Sequence, residues 1–269
     1  MRLAAIVSCR HRLGADSARA LADDRQLVAA LQESADVLVL EYVCPHGEHW
    51  NLNGISYAAY LAEQAGPLGA VVRGLPLGVR NPVELAEALA TLDHAWTGRF
   101  AAGLVLATPE QLSAYGKDPD LANDRFDESL VILSKMWSGR AFSADGAAYR
   151  FAEVRPTLLP YTAGGPPMSL SVADRSAAIL AARRGLGLHL PGSAAGSAAD
   201  LITSYRQADG AGEVSVEIVA GDTIGSTVAA LDQLGVDQVD LRLPAVTPDP
   251  AAEKGVAELF AAAGWALGR

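Results

Sequence analysis

Eight short apolar runs, each followed by a longer amphipathic stretch, repeat along the chain and leave it few ways to fold. The runs are Leu3–Ser8, Val37–Leu40, Ala70–Leu75, Phe100–Leu106, Met168–Val172, Gly187–Leu190, Val214–Ala220 and Gln238–Leu243. Short, continuous apolar segments of this kind suit strands buried on both faces. Helical stretches follow at Ser17–Glu33, Ile55–Gln64, Pro82–Trp96, Arg125–Trp137, Asp174–Arg184, Ala198–Gln207, Thr223–Leu234 and Ala251–Leu267. In the first of these, Leu21, Leu27, Val28 and Leu31 recur at roughly helical spacing. Pro82 stands at a first turn, where a helix accepts proline. A small hairpin is expected around Asp145–Gly146.

Eight such units in 269 residues match the ~250 residues of a (β/α)8 barrel. A doubly wound open sheet needs fewer repeats and a glycine-rich first turn. The first turn here reads Ser8-Cys9-Arg10-His11-Arg12-Leu13-Gly14, without GxGxxG. No stretch rich in Pro, Gly or Ser marks a linker, so the expectation is one α/β domain over residues 1–269, a single TIM barrel.

Charge and cysteine usage narrow the function classes. The formal net charge is −10, and no run of Lys or Arg occurs. Phosphate-backbone recognition depends on basic side chains, so nucleic acid is excluded as a partner. No apolar run approaches the ~20 residues of a membrane span. Only Arg2 precedes the first apolar stretch, with Arg10, His11 and Arg12 after it, which is the wrong order for a secretory signal. The two cysteines, Cys9 and Cys44, build no disulfide framework. A cytoplasmic protein with a small-molecule partner is expected.

Several segments together resemble the bacterial luciferase-like monooxygenase family. The clearest is Asn81-Pro82-Val83-Glu84-Leu85-Ala86-Glu87, continuing through Leu92-Asp93-His94 to Gly98-Arg99-Phe100. Arg125-Phe126-Asp127-Glu128 with Trp137-Ser138-Gly139, Pro166-Pro167-Met168, Ala181-Ala182-Arg183-Arg184-Gly185, and Leu241-Arg242-Leu243-Pro244 add to it. The resemblance covers nearly the whole chain. It implies a barrel holding reduced FMN, or alternatively the deazaflavin F420 or no cofactor, and a monooxygenase or related oxidoreductase acting on a small organic substrate. A second reading is a non-catalytic or flavin-binding subunit that supports a partner. The resemblance also implies a homo- or heterodimer through helices 55–64 and 82–96, where Ala58, Ala59, Ala62, Ala86 and Ala90 permit close approach.

Barrel active sites lie at the C-terminal ends of the strands. Where the family's second strand ends in Glu-His-His, this chain has Glu41 and Tyr42, so the expected catalytic histidine is replaced by Tyr42. His46, in the following loop, is the candidate replacement acid or base, or an ordinary loop residue. Cys44, His46, Glu48 and His49 are spaced too irregularly for a metal site, and none is expected. Arg73 and Gly74 match the family's non-prolyl cis peptide beneath the flavin ring, and Arg73 is also a candidate to bind an anion. Leu106 stands where the family's phosphate-binding arginine does. The remaining phosphate grip is Ser171, Arg175 and Ser176 at a helix start, beside Asp174, which also suits a helix cap. Ala220-Gly221-Asp222-Thr223 leads straight into a helix, so the family's long segment after strand seven is reduced. His189 reads as a core or pocket residue, and His94 as a surface or interface one.

Overall fold

The computed structural model describes residues 1–7, 10–12, 16–42, 49–51, 53–219, 223–242 and 258–264. Eight strands form a closed barrel: β1 (Arg2–Val7), β2 (Val37–Glu41), β3 (Gly69–Leu77), β4 (Phe100–Leu106), β5 (Met168–Ser171), β6 (Gly187–Leu190), β7 (Val214–Val219) and β8 (Gln238–Arg242). Neighbours in sequence are neighbours in space, every pairing is parallel, and β8 closes on β1. The expected TIM barrel is therefore the observed fold. The helices α1 (Ser17–Leu31), α2 (Gly54–Leu61), α3 (Pro82–Ala95), α4 (Ala122–Trp137), α5 (Arg175–Arg183), α6 (Ala198–Gln207) and α7 (Ile224–Gln233) connect the strands, and residues 258–264 are helical again. No helix of the described residues is long and apolar enough to cross a membrane.

Side chains alternate inward and outward along each strand. Outward residues such as Leu38, Leu40, Val72, Leu104, Leu188 and Leu241 are fully or nearly fully buried beneath the helices, in one large apolar shell. The interior divides into two unlike halves. Ala4, Ile6, Val37, Val39 and Val71 fill the β1–β3 side as a separate apolar cluster, with Ala101 of β4 against it. On the β5–β8 side the inward positions are polar, with His189, Ser215, Gln238 and Asp240 all buried. This half is the scaffold of the site.

The sequence motif around α3 is explained by packing. Asn81 caps the helix by accepting from the Val83 amide at 2.9 Å. Asp93, wholly buried, accepts from the Thr162 amide at 2.6 Å and its hydroxyl at 3.1 Å. His94 reaches the Leu159 carbonyl at 2.9 Å, as a partly external pin on the same segment. Gly98 takes a positive φ of 76° where a side chain would run into Tyr161. Together these hold the chain as it returns from α4 to β5. Trp137 donates to the Ala86 carbonyl at 3.1 Å and Trp96 to that of Ala58 at 3.2 Å, which stitches α2, α3 and α4 together.

The expected hairpin is present as Phe142–Asp145 paired with Arg150–Val154, closed onto α4 by Glu128, whose carboxylate accepts three successive amides of residues 147–149. A second small pairing, Arg10–Arg12 with Asn51–His49, has no clear signal in the sequence. Only residues 220–223 separate β7 from α7, so the connection after strand seven is indeed short. Three of the alanines assigned to partner contact are used inside the chain: Ala58, Ala86 and Ala90 are buried in its own packing.

Asp93→Ala removes a buried acceptor from two half-buried donors of Thr162. A loss of roughly 2–3 kcal/mol is expected, measured by urea unfolding; a loss below about 0.5 kcal/mol would show that Asp93 does not hold the returning chain.

Candidate functional site

The C-terminal mouth of the barrel opens into a cavity of about 500 Å³, within the range of small-molecule sites. It is built from strand ends: Glu41 on β2 and Tyr42 just after it, Arg73 and Gly74 on β3, Ser171 on β5, His189 on β6, Glu217 on β7 and Arg242 on β8. Sequence reasoning had singled out Glu41, Tyr42, Arg73, Gly74 and Ser171, and the fold brings these together. His46 lies outside the described residues.

Beneath the cavity the polar half of the interior forms one connected network. Arg73 reaches across the barrel and donates from Nη2 to Asp240 Oδ2 at 2.6 Å and from Nη1 to Ser169 Oγ at 3.0 Å. Gln238 donates to the other Asp240 oxygen at 2.6 Å. His189 Nδ1 stands 3.1 Å from Ser215 Oγ and 3.6 Å from Asp240 Oδ2. Gly103 makes room for the arginine, since a Cβ there would lie 2.7 Å from Arg73 Cδ. Arg73 is therefore held within the barrel by a carboxylate, and its charge is not free for an outside anion.

At Gly74 the pairing of β3 with β4 slips by one residue, with Arg73 opposite Gly103 and Leu75 opposite Leu104. This β-bulge places Arg73 and Gly74 both at the cavity wall. Gly74 has φ +87°, and a Cβ would meet the Tyr42 carbonyl oxygen at 2.8 Å, so only glycine fits. The expected non-prolyl cis peptide is not there: the described residues contain no cis peptide bond, and a bulge with positive φ makes the irregularity instead. The Tyr42 amide donates to the Arg73 carbonyl at 2.6 Å, tying the end of β2 to the bulge.

Above the network a second ionic group spans the mouth. Arg242 binds Glu41 through both terminal nitrogens, at 2.7 and 3.3 Å, and donates from Nε to Glu217 at 2.7 Å. The hydrogen bonds to Glu41, together with the one to Glu217, hold the guanidinium charged well above the usual arginine range. The bridge joins β2, β7 and β8 across the end of β1.

The other residues assigned to a phosphate lie elsewhere. Arg175 lines a separate cavity between α5 and α6 with Asp174 and Asp200. Ser176 donates its hydroxyl to Asp174 at 2.5 Å, and Asp174 takes the Ala177 amide at 2.9 Å. Those bonds, the serine's first, hold the exposed Asp174 carboxyl below its usual range. Asp174 is thus the cap of α5. Leu106, at the end of β4, is 40% exposed and does not line the mouth cavity; its neighbour Val105 does. No group of His, Cys, Asp and Glu among the described residues forms a metal site.

A flat heterocycle needs small surfaces against its faces and hydrogen-bonding groups at its edge. Gly74, Val105, Val172, Ala173, Pro191 and Gly192 supply the first, and Ser171, Ser193 and His189 the second. The buried Arg73 Nε also has no hydrogen-bond partner. A ring system fits this donor set. Each described cation that lines the mouth is already paired with a carboxylate, so among these side chains nothing is reserved for a phosphate.

Sequence reasoning missed Glu217, Asp240 and Arg242 and underrated His189. The signal was present in period two: Ser215 and Glu217 alternate with Val214, Val216 and Ile218, while Gln238, Asp240 and Arg242 alternate with Val239 and Leu241. In a barrel strand such alternation means a polar interior.

A family profile described as luciferase-like monooxygenase matches residues 3–229. The chain is 30% identical over 117 residues to the F420-dependent hydroxymycolic acid dehydrogenase of Mycobacterium tuberculosis, a stretch covering 42% of this chain. That stretch spans 31% of the curated relative's length. Among solved structures, monooxygenase RslO1 from Streptomyces bottropensis superposes with a TM-score of 0.76 at 17% identity, covering 97% of this chain and 98% of that one. The FMN complex of the oxygenating constituent of 3,6-diketocamphane monooxygenase from Pseudomonas putida gives 0.71 at 17% identity, covering 86% and 70%.

Burial, reinforced by the Arg73 and Arg242 charges, lowers the His189 pKa well below the usual 6.5. The unfolded chain takes up a proton below about pH 6.5 that the folded chain refuses. The native state then binds fewer protons, so this contribution to stability is complete above that pH and is lost as pH falls. Urea unfolding is expected to show stability declining from pH 7 toward pH 5, and His189→Gln should flatten the decline. An equal slope in the variant would contradict the buried neutral imidazole.

Proposed function

The chain belongs to the luciferase-like monooxygenase family, and from that premise we propose that it is an oxidoreductase that binds reduced FMN or F420 at the mouth of the barrel to transform a small organic substrate. The observation that carries this reading is the cavity itself: a ring-sized space at the C-terminal face, walled by small groups and edged by Ser171, Ser193 and His189. A bound reduced flavin or deazaflavin would supply the reducing power, by hydride transfer or by activating dioxygen.

The roles of the chain's own residues follow from their geometry. Gly74 and Tyr42 shape a wall that would hold a ring, fixed by the bulge and the Tyr42–Arg73 hydrogen bond. Ser171 and Ser193, which line the cavity, would offer hydroxyls to a ring edge. Arg242, neutralised by Glu41 and Glu217, orients those carboxylates across the opening and keeps the mouth polar. The buried Arg73–Asp240 pair holds the floor rigid. Arg175 and Ser176 have no part in this grip, since one lines another cavity and the other serves Asp174. Pairing of copies through α2 and α3 belongs to the same reading; Tyr60, 40% exposed, is the large side chain such an interface would cover.

Titration of the purified chain with FMN and with F420, each oxidised and reduced, tests the proposal by fluorescence. Binding of one of them in the micromolar range is expected. Gly74→Val should abolish that binding, because the bulge cannot take a side chain, whereas Arg175→Ala should change affinity by less than about twofold. Failure of both cofactors to bind would contradict the proposal and favour the non-catalytic subunit, and a large loss with Arg175→Ala would contradict the site as drawn.

A further inference from the structure

The histidine expected on β2 is absent, yet the cavity has an imidazole on another strand. His189 is 2% exposed and lines the mouth cavity from β6. Its Nδ1 faces Ser215 Oγ at 3.1 Å and the Asp240 carboxylate at 3.6 Å. A lone pair on Nδ1 would confront that anion, whereas a proton there meets Ser215 Oγ as acceptor, so the Nδ1–H tautomer is favoured. The other ring nitrogen, Nε2, then carries the lone pair. It has no hydrogen-bond partner among the described residues, and the cavity is the space its ring lines.

The charged groups around the imidazole favour the neutral ring. Arg73 comes from β3 and Arg242 from β8, and both oppose a second positive charge. Asp240 would favour a charged ring, but it is already engaged by Arg73 and Gln238. Glu217 of β7 also lines the cavity, and its carboxylate is committed to Arg242. The result is an acceptor without charge in a site whose other strong acceptors are paired.

We infer that His189 is the proton acceptor of the mouth, presenting Nε2 to an N–H or O–H of the bound heterocycle or of a hydroxyl-bearing substrate, with Asp240 and Ser215 as its positioning residues. The role expected at position 42 thus moves four strands round the barrel, to β6. This inference rests on the proposed cofactor site, and it adds the atom through which that site accepts a hydrogen bond.

Imidazole nitrogen NMR on the unaltered, 15N-histidine-labelled chain tests it, with oxidised FMN and F420 added separately and binding followed in parallel by fluorescence. The expected result is an Nδ1–H tautomer for His189 in the free chain and a shift of its Nε2 resonance when either ligand binds. His189→Gln should then weaken that binding by about fivefold, the effect of one neutral hydrogen bond. An Nε2–H tautomer, or binding that leaves the His189 Nε2 resonance unmoved, would overturn this inference and leave the cofactor site standing. Binding of neither ligand would overturn the cofactor site, and this inference with it.

Discussion

The pair of Arg73 and Asp240 inside the barrel is the interaction on which the other features depend. Two opposite charges removed from water are costly unless every remaining donor and acceptor finds a partner. Here the surroundings meet most of that demand. Ser169 and Gln238 add hydrogen bonds to the pair, Gly103 leaves space for the arginine stem, and the buried His189 favours its neutral form. Stability comes from elsewhere: the apolar half of the interior and the continuous shell between strands and helices.

The same pair connects the interior to the opening. Arg73 belongs to the strand whose next residue, Gly74, makes the bulge, and its carbonyl takes the Tyr42 amide. Asp240 lies two residues before Arg242, whose guanidinium holds Glu41 and Glu217 in place. One alternating strand, β8, therefore carries both the buried floor and the bridge above it. The phosphate-binding positions implied by the family resemblance have taken other duties in this chain, with Asp174 capping α5 and Leu106 turned away from the cavity.

The barrel was legible in the sequence because eight short strand-like runs, most of them continuously apolar, alternate with amphipathic helical stretches. Phe100–Leu106 and Gly187–Leu190 have the same bounds in the structure as in the sequence reading. The wall of the site was partly legible for a related reason: strand ends fall where barrel chemistry is found, which placed Glu41, Tyr42, Gly74 and Ser171. The network was not. Arg73 and Asp240 are 167 residues apart, and nothing local in either strand signals the partner. Arg175 and Ser176 were expected beside a phosphate because a helix start suits an anion, and Asp174, which caps that same helix end, is the local feature that competes with this role.

The most direct measurement is a double-mutant cycle on Arg73→Met and Asp240→Leu, with unfolding and FMN or F420 binding read on the same samples. Each single change strands a buried charge and should cost about 3–5 kcal/mol. The double change should recover most of that loss while still weakening cofactor binding by about fivefold, the effect of one neutral hydrogen bond, because His189 loses the carboxylate that fixes its tautomer. A double variant that binds as tightly as the natural chain would contradict the buried pair as the foundation of the site.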